Sequence, residues 1–337
     1  MRYKTVWLRP LLSVLAALLL LLLIFQHFGG GLGEFFNKIF NNGPTDEAER
    51  SVYWLRLVHN AENGETTAEN IDLEEAVIGF VAAEMPAAYD EQALAAQAVA
   101  ARSYAWQKYQ AEGEVCDNSA HCLAYLDEEA RRERFGKSFA EYEAKLRAAA
   151  ESTAGLILLQ NGQPVPAYFH ACCGGQTESA AVCWGGQSYY PSAACYWDNL
   201  AGSTASSVSS SFWPKETLAE RLQVTPAQLA LLYVAATTPS GRVKEVRCGS
   251  QSWSGNDFRQ LLGLNSNRFS WLEAKEGFWF TTLGSGHGVG MCQQGAGGLA
   301  AQGYDWRQIL AVYYAGCETA SLSTIYEPTP KPDDLPQ

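Results

Sequence analysis

The stretch DLEEAVIGFVAAEMPAAYDEQALAAQAVAARSYAWQKY, residues 72–109, decides the fold class because it contains two consecutive helix signals. Asp72 followed three residues later by Glu75 is an aspartate version of the capping box that begins helices. Apolar residues follow at helical spacing: Leu73, Val77, Phe80 and Val81. Proline at position 86 ends this helix. A second helix is predicted from Asp90 to Tyr109, and its many alanines indicate close packing against neighbouring elements.

Strand-like segments flank this helix pair. SVYWLRLV, residues 51–58, is typical of a strand, and GLILLQNGQPVPAYFHA, residues 155–171, is typical of a β-hairpin. Further predictions are a charged, exposed helix over 126–151, a serine-rich surface loop over 201–212, a short helix over 225–235, and mixed strand and helix pieces over 243–283. We therefore expect an α+β fold in which helices pack on an antiparallel sheet with a central substrate cleft.

The N-terminal segment has the pattern of a membrane anchor. Residues 11–28, LLSVLAALLLLLLIFQHF, contain no charge except that of His27 when it is protonated, and basic residues precede them at positions 2, 4 and 9. Such a segment is long enough to span a bilayer core, and the basic flank predicts a cytoplasmic N-terminus. A cleaved signal peptide is the alternative, although GGGLGEFFNKIF offers no clear small-x-small cleavage site.

This anchor sets the predicted domain organisation. Residues 1–10 are expected to lie in the cytoplasm. Residues 11–28 are expected to form the single transmembrane helix of the protein, and residues 29–50 a tether. An extracytoplasmic catalytic domain follows over 51–326, and the proline-rich residues 327–337 form a disordered tail. The predicted location is the cell membrane, with a single pass.

The net charge and the number of cysteines limit which partners the chain can bind and which states its cysteines can have. The formal net charge is -12, so a nucleic-acid partner is excluded because the chain lacks the basic face that phosphates require. The nine cysteines are an odd number, so at least one is free, metal-bound or paired between chains. An extracytoplasmic location permits disulfides, but spacing alone does not give their connectivity.

Glu84 is the candidate for acid–base chemistry. It follows Val77 and Phe80 on one helical stripe and lies in the last turn before Pro86. Partial burial and the negative end of the helix dipole both favour the neutral acid, which suits a general acid. The alternative is a structural glutamate that pairs with a basic side chain such as Arg102.

CDNSAHC, residues 116–122, is a candidate metal loop. Cys116, His121 and Cys122 could supply three of the four tetrahedral ligands of zinc, and the fourth would be another side chain, a water or a substrate group. A Cys116–Cys122 disulfide is an equal alternative.

Two more segments combine glycines with reactive side chains. FHACCGGQTES, residues 169–179, is followed by Cys183 and Cys195, and disulfides or inert thiols there are as well supported as a ligand set. His170 and His287 each lie beside glycines, whose backbone can approach a ligand closely.

Three long motifs together resemble the stage II sporulation protein D family, the peptidoglycan lytic transglycosylases of spore-forming bacteria. They occur in the family's order: EEAVIGFVAAEMPAAYDEQALAAQAVAARSYAW at 74–106, AYFHACCGGQTESAAVCWGG at 167–186, and GHGVGMCQQGAGGLAAQGYDWRQILAVYYAGC at 286–317. The resemblance frames nearly all of the chain outside the anchor and the tail. It implies that Glu84 is the catalytic acid/base and that an N-terminal membrane anchor is present.

The resemblance also implies a cofactor and partners. Some members of the family bind zinc with a loop like Cys116, His121 and Cys122 and with a second histidine shortly before it. Gln110 stands at the corresponding place here, so the fourth zinc ligand is open. The implied substrate is a peptidoglycan glycan strand without stem peptides. A wall amidase and a septal membrane protein of the engulfment machinery are the implied partners.

A single carboxylate is compatible with this chemistry. Ordinary glycosidases use two, whereas a lytic transglycosylase can use one because a hydroxyl of the sugar itself attacks the anomeric carbon. Side chains expected to bind the glycan are Arg102, Tyr168, His170, Gln176, Tyr189, His287 and Gln294, with Trp184 and Tyr190 as further aromatic platforms. The glycine-rich segment 284–298 is expected to hold the glycan through its backbone, and purely structural glycine turns are the alternative.

Two other functions remain open on the sequence. The main alternative is a non-catalytic wall-binding module that enhances a cell-wall amidase. A metalloenzyme in which the 116–122 loop is catalytic is the weaker one.

Overall fold

The computed structural model describes residues 52–60, 65–119, 121–199 and 207–328. The predicted anchor, its tether and most of the predicted tail lie outside these residues. Among these residues there is no helix that is both long and apolar enough to cross a bilayer.

Helices and strands alternate along the described chain. The helices are α1 Leu73–Glu84, α2 Glu91–Glu112, α3 Glu128–Phe135, α4 Phe139–Glu151, α5 Ala180–Trp184, α6 Lys215–Leu222, α7 Gly255–Leu261, α8 Gln293–Ala301 and α9 Trp306–Tyr313. The strands are β1 Trp54–Asn60, β2 Thr66–Asp72, β3 Val115–Cys116, β4 Leu156–Gln160, β5 Gln163–Pro164, β6 Phe169–His170, β7 Val208–Pro214, β8 Leu232–Thr237, β9 Val243–Cys248, β10 Gln251–Ser254, β11 Phe269–Ala274, β12 Gly277–Leu283, β13 Met291–Cys292 and β14 Glu318–Ser321. Short 3-10 helices lie at Gly136–Ser138, Tyr196–Asn199, Pro226–Leu231 and Leu322–Thr324.

The predicted helix pair is confirmed. The Asp72 carboxylate accepts hydrogen bonds from the backbone N–H groups of Glu74 and Glu75 at 2.8 and 3.2 Å, and so caps α1. The reciprocal half of the expected capping box is absent, because the Glu75 carboxylate binds Arg131 and Arg147 instead. The first helix is therefore capped at its N-terminus and tied to α3 and α4 by its second glutamate.

Helix α2 is the centre of the main hydrophobic core. Its alanines at positions 93, 95, 96, 98, 100, 101 and 105 are all buried, as their presence on several helix faces predicts. The small side chains let α1, α4, α8 and α9 pack directly against it. Trp106 closes this core at the far end of α2, where its ring makes an edge contact with Tyr53 of the chain before β1.

The α+β class is confirmed and most strand pairs are antiparallel as expected, but the strands are divided among several small sheets. The described strands form five small sheets, in the orders β2-β1-β3, β10-β9-β8, β11-β12-β7, β13-β6 and β14-β4-β5. Two pairs, β1 with β3 and β6 with β13, are parallel. Four of the described strands, β3, β5, β6 and β13, contain only two residues.

The later half of the chain has a hydrophobic cluster of its own. It includes side chains from α6, α7, β9 and the sheet β11-β12-β7, with Phe258 stacked on Phe269 at a centroid distance of 5.4 Å. Two predictions are corrected here. Part of the serine-rich segment is strand β7, paired with β12, and 225–235 is a 3-10 helix that continues into β8.

Two further segments differ in detail from expectation. The predicted helix over 126–151 is broken into α3 and α4 at Gly136, whose backbone has a φ of +52°, a conformation that favours glycine. The hairpin over 155–171 is confirmed as β4 and β5 with Asn161 and Gly162 at the turn, although only two residue pairs form the ladder. The chain then continues to β6, which pairs with β13 rather than with the hairpin.

Candidate active site

Glu84 lies at the C-terminal end of α1 and faces a cleft. The cleft has a volume of about 200 Å³ and is lined by Glu84, Tyr104, Ser119, His121, Cys122, Leu123, Tyr168, Phe169, Trp184 and His287. These side chains come from α1, α2, the metal loop, β6, α5 and the glycine-rich segment. The three sequence motifs therefore meet at one place, and the acidic side chain of the first is part of it.

The Glu84 carboxyl group is half-buried and has one strong hydrogen bond. The backbone N–H of Ala124 donates to its Oε1 atom at 2.7 Å. Burial raises the pKa of Glu84 above its usual value, and the Ala124 hydrogen bond opposes this in part. No Lys, Arg or His of the described residues is within ion-pair distance of this carboxylate. The site thus favours a protonated carboxylic acid more than an exposed glutamate does.

Arg102 does not line the cleft. Its guanidinium group is fully buried and forms a bidentate ion pair with Glu74, at 2.8 Å from Nε and 2.5 Å from Nη2. The same group donates to the backbone carbonyls of Ala150 and Leu156. The structure therefore places Arg102 in the link between α1, α2 and β4, away from the predicted substrate contact, and it does not pair with Glu84.

The metal loop lies directly beside the acid. The Cys116 and Cys122 sulfur atoms are 2.9 Å apart, and His121 Nδ1 lies 3.4 and 3.3 Å from them. The two sulfur atoms are farther apart than in a disulfide bond, and all three possible ligand atoms lie within 4.8 Å of one another. His121 and Cys122 also line the cleft. Gln110 is exposed in the last turn of α2.

Aromatic rings form the opposite wall of the cleft. Tyr168 makes edge contacts with Tyr104 and Trp184, at centroid distances of 5.8 and 4.9 Å. The His287 ring lies 5.1 Å from that of Trp184. Because Trp184 is 48% exposed, its ring is available to a ligand that enters the cleft. Three residues predicted to contact the glycan, Tyr168, Trp184 and His287, thus lie in the same cleft as Glu84.

The two histidines of the site have different surroundings. His287 Nδ1 accepts the backbone N–H of Val289 at 3.0 Å, so its neutral ring carries the proton on Nε2. Burial and the charges of Arg259 and Arg242 lower the pKa of His287 to about 4. His170 lies behind it, 5.7 Å between ring centroids, where its Nδ1–H donates to the Val289 carbonyl. Burial lowers the pKa of His170 well below its usual value, so both rings are neutral at pH 7.

The remaining predicted glycan contacts lie away from the cleft. Gln176 donates to the Ser192 hydroxyl at 3.3 Å, and Gln294 is buried in the first turn of α8. Tyr190 is buried, with its hydroxyl hydrogen-bonded to the Pro166 carbonyl. Tyr189 is half-buried, and its carbonyl accepts a hydrogen bond from the Gln160 side chain.

The sequence reasoning missed several residues of the site, namely Tyr104, Ser119, Leu123, Phe169 and Gln293. Tyr104 lines the cleft and its hydroxyl donates to the His121 carbonyl at 3.3 Å. Gln293 donates from its side-chain amide to the Glu84 backbone carbonyl at 3.1 Å. Tyr104 carried a signal, because it lies on α2 between Arg102 and the metal loop. The contact between Gln293 and Glu84 has no signal in the sequence, since the two residues are far apart in the chain.

Comparison with known proteins identifies the family. The family model described as "Stage II sporulation protein" matches residues 61–159. Stage II sporulation protein D of Bacillus subtilis (strain 168) is 33% identical over 264 residues, which cover 75% of this chain and 75% of that protein. The chain belongs to the stage II sporulation protein D family. Another member, from Bacillus amyloliquefaciens, is 31% identical over 270 residues, with 77% of each chain covered.

Membership of the stage II sporulation protein D family assigns the chain to sporulation and confirms the resemblance that the three motifs indicated. The matched residues 61–159 include Glu84 and the whole metal loop. A more distant relative is named amidase enhancer in Bacillus subtilis (strain 168). It is 24% identical over 298 residues, which cover 72% of this chain and 40% of that protein.

Proposed function

We propose that this protein is a peptidoglycan lytic transglycosylase in which Glu84 is the only acid/base. The observation that carries the proposal is the half-buried Glu84 carboxyl group in a cleft walled by aromatic rings. Among the described residues that line this cleft, Glu84 is the one carboxylic acid. A hydrolase that uses a pair of carboxylates would need a second one across the scissile bond.

In the proposed reaction the two carboxyl oxygens of Glu84 have different roles. Since Oε1 accepts the Ala124 N–H, the carboxylic proton is held on Oε2. That proton passes to the glycosidic oxygen, and the bond from this oxygen to the anomeric carbon breaks with its electron pair on oxygen. The primary hydroxyl of the same muramic residue then attacks the anomeric carbon and returns a proton to Oε2. The product carries an anhydro-muramic end, and the enzyme regains its starting state.

The cleft chemistry supports a glycan as substrate. Sugar rings present C–H faces that pack on aromatic side chains, and Tyr104, Tyr168 and Trp184 supply three. The raised pKa of Glu84 extends the range over which a proton is available. The neutral state of His287 avoids an added positive charge beside that acid, which would lower its pKa.

We further propose that Cys116, His121 and Cys122 bind zinc. The ion would fix the loop that continues to Ala124, whose N–H holds Glu84 Oε1. The fourth ligand is left to a water or a substrate oxygen. Zinc content should fall by about one ion per chain in a Cys116→Ser variant, measured by mass spectrometry of the metal. Equal content in both proteins would contradict this assignment.

The proposed location rests on the sequence pattern, and the proposed partners rest on similarity to the family. We propose that residues 11–28 anchor the protein in the cell membrane, with the catalytic domain outside the cytoplasm. A wall amidase that removes stem peptides would supply its substrate, and a septal membrane protein would hold both enzymes at the engulfing membrane. Protease added to intact protoplasts should degrade the domain and spare the cytoplasmic N-terminus, and full protection would contradict this orientation.

The decisive experiment uses the full-length protein in detergent with glycan strands that lack stem peptides. Wild type should release fragments with anhydro-muramic ends, detected by mass spectrometry. Glu84→Gln should reduce the rate by about 10²-fold or more, because the amide cannot lend a proton. Glu133→Gln, on the exposed face of α3, is the matched control and should be fully active. Absence of anhydro ends with wild type, or full activity in Glu84→Gln, defeats the proposal.

Similarity to the amidase enhancer supports a second candidate function. In that case the domain would bind the wall or the amidase and stimulate it without cutting glycan. Amidase turnover measured with wild type and with Glu84→Gln separates the two functions. Stimulation that is equal in both proteins, without anhydro ends, would establish the enhancer.

A further inference from the structure

A group of buried metal-type ligands lies outside the cleft. We call it the cysteine cluster, and its members are Cys173, Cys195, Asp198 and Cys292. All four side chains are buried, and their three sulfur atoms and one carboxylate oxygen lie within 4.8 Å of one another. A tetrahedral zinc ion with thiolate and carboxylate ligands requires separations of about 3.5–4 Å.

Three separate segments bring these ligands together. Cys173 follows β6, Cys195 and Asp198 belong to the turn at the Tyr196–Asn199 3-10 helix, and Cys292 ends β13. The parallel pairing of β6 with β13 places His170 opposite Cys292 and so sets the position of Cys173. The ligands thus converge through tertiary structure, which spacing along the sequence does not reveal.

The Asp198 carboxylate is the strongest sign of a cation. It is fully buried, and its Oδ2 atom lies 3.4 Å from the Cys173 sulfur and accepts the Gly175 N–H at 2.8 Å. Its Oδ1 atom is buried with no hydrogen-bond partner in the described residues. A buried carboxylate among thiols is costly without a compensating positive charge, and a bound cation supplies that charge.

Hydrogen-bond donors already surround the sulfur atoms. Cys292 Sγ accepts the backbone N–H groups of Cys173 and Gly295, both at 3.3 Å. The Tyr313 hydroxyl lies 3.2 Å from Cys195 Sγ. Donors of this kind orient thiolate ligands and stabilise their charge in metal sites.

The glycines of α8 leave room for this arrangement. A Cβ at Gly295 would overlap the Cys195 sulfur and the Tyr313 hydroxyl, and one at Gly298 would overlap the Trp197 carbonyl. The absence of side chains at these two glycines of α8 therefore allows the 195–198 turn to approach the helix closely. This accounts for part of the glycine-rich segment without a glycan contact.

We propose that the cysteine cluster binds one zinc ion as a structural site, separate from the metal loop. On binding, the thiols release their protons to solvent and coordinate as thiolates, and no electron transfer is involved. The four protein ligands close the coordination sphere, so no position is left for substrate. The ion would tie β6, the 195–198 turn and α8 together, next to the Gln293 side chain that contacts the Glu84 backbone.

The test measures metal rather than activity, so it is independent of the proposed lytic function. The background is a full-length Cys116→Ser/Cys122→Ser variant, which lacks the sulfur ligands of the loop. It should still contain about one zinc per chain when purified under reducing conditions. Adding Asp198→Asn, which keeps the side-chain shape, should weaken zinc affinity by about tenfold or more in a chelator titration. Cys248→Ser removes a buried thiol outside the cluster and should leave zinc content unchanged.

Several outcomes would overturn the proposal. The first is that the background variant neither contains nor takes up zinc. The second is that Cys248→Ser and Asp198→Asn lose equal amounts of zinc. The third is that peptide mass spectrometry detects disulfides among the cluster cysteines in the native protein. If the Asp198→Asn protein does not fold, Co²⁺ is added to the metal-free background variant. Thiolate-to-cobalt charge-transfer and tetrahedral d–d absorption then support the site, and their absence rejects it.

Discussion

Glu84 is an acid whose charged form is disfavoured by its position. The carboxyl group is half-buried at the end of α1, and the hydrogen bond from Ala124 only partly offsets the loss of water. A lytic transglycosylase needs this balance, because the same group must release a proton and later recover it. The same balance has a measurable effect on stability.

Folding stability should depend on pH through Glu84. The pKa of Glu84 is higher in the folded chain than in the unfolded chain. Its contribution to the free energy of unfolding is therefore largest below the unfolded-state pKa, and it is lost as the pH rises through the folded-state pKa. Glu84→Gln should therefore unfold at a higher temperature than wild type at about pH 8 and at a similar temperature at about pH 4. Thermal unfolding across this range, with Glu133→Gln as the exposed control, measures the effect. A difference that does not vary with pH would contradict the raised pKa.

The sequence predicts those site residues that are identified by the spacing of nearby residues along the chain. Glu84 stands on an apolar helical stripe, and the metal-loop residues lie within seven positions of one another, so spacing was sufficient. Arg102 was predicted to bind substrate, yet Glu74 and three backbone carbonyls satisfy its guanidinium group inside the core. The Gln293 contact with Glu84 depends on tertiary packing and has no sequence signal.

At the scale of elements, Arg102 joins helices α1 and α2. Arg102→Met should lower the free energy of unfolding by about 3–5 kcal/mol, since it leaves the Glu74 carboxylate without its partner in a mostly buried position. KM for glycan should be unchanged in the folded fraction. Urea unfolding and steady-state kinetics provide the two readouts. A raised KM at unchanged stability would return Arg102 to the substrate-binding role predicted from sequence.

Helix α1 is also held against the segment that carries Ala124. A Cβ at Gly79 would overlap the Tyr125 ring and come within 2.8 Å of the Leu126 carbonyl. Gly79→Ala should therefore destabilise the protein by about 1–3 kcal/mol, although alanine is the better helix former. It should also reduce lysis, because displacement of Tyr125 moves the Ala124 N–H away from Glu84. A more stable, fully active Gly79→Ala protein would show that the contact is dispensable.

At the scale of the whole molecule, the cleft is assembled from motifs that are distant in sequence. The parallel pair β6 and β13 joins the second motif to the third, and α8 then brings Gln293 to the end of α1. The helix pair and the fold class were predictable because their periodicity is local. The five small sheets were not, because two-residue strands have no periodicity to detect and their pairing depends on which segments meet.

This assembly predicts where a bound glycan will protect the backbone from hydrogen exchange. In Glu84→Gln, in which turnover should be much slower, glycan without stem peptides should slow exchange in peptides that contain Leu123, Phe169, Trp184 and His287. Peptides from β8, β9 and β10 belong to the separate hydrophobic cluster and should not change. Mass spectrometry with and without glycan gives both results in one experiment. Protection confined to the exposed Phe212 and Trp279 pair on the sheet β11-β12-β7 would move the binding site away from Glu84. The proposed reaction would then lose its physical basis.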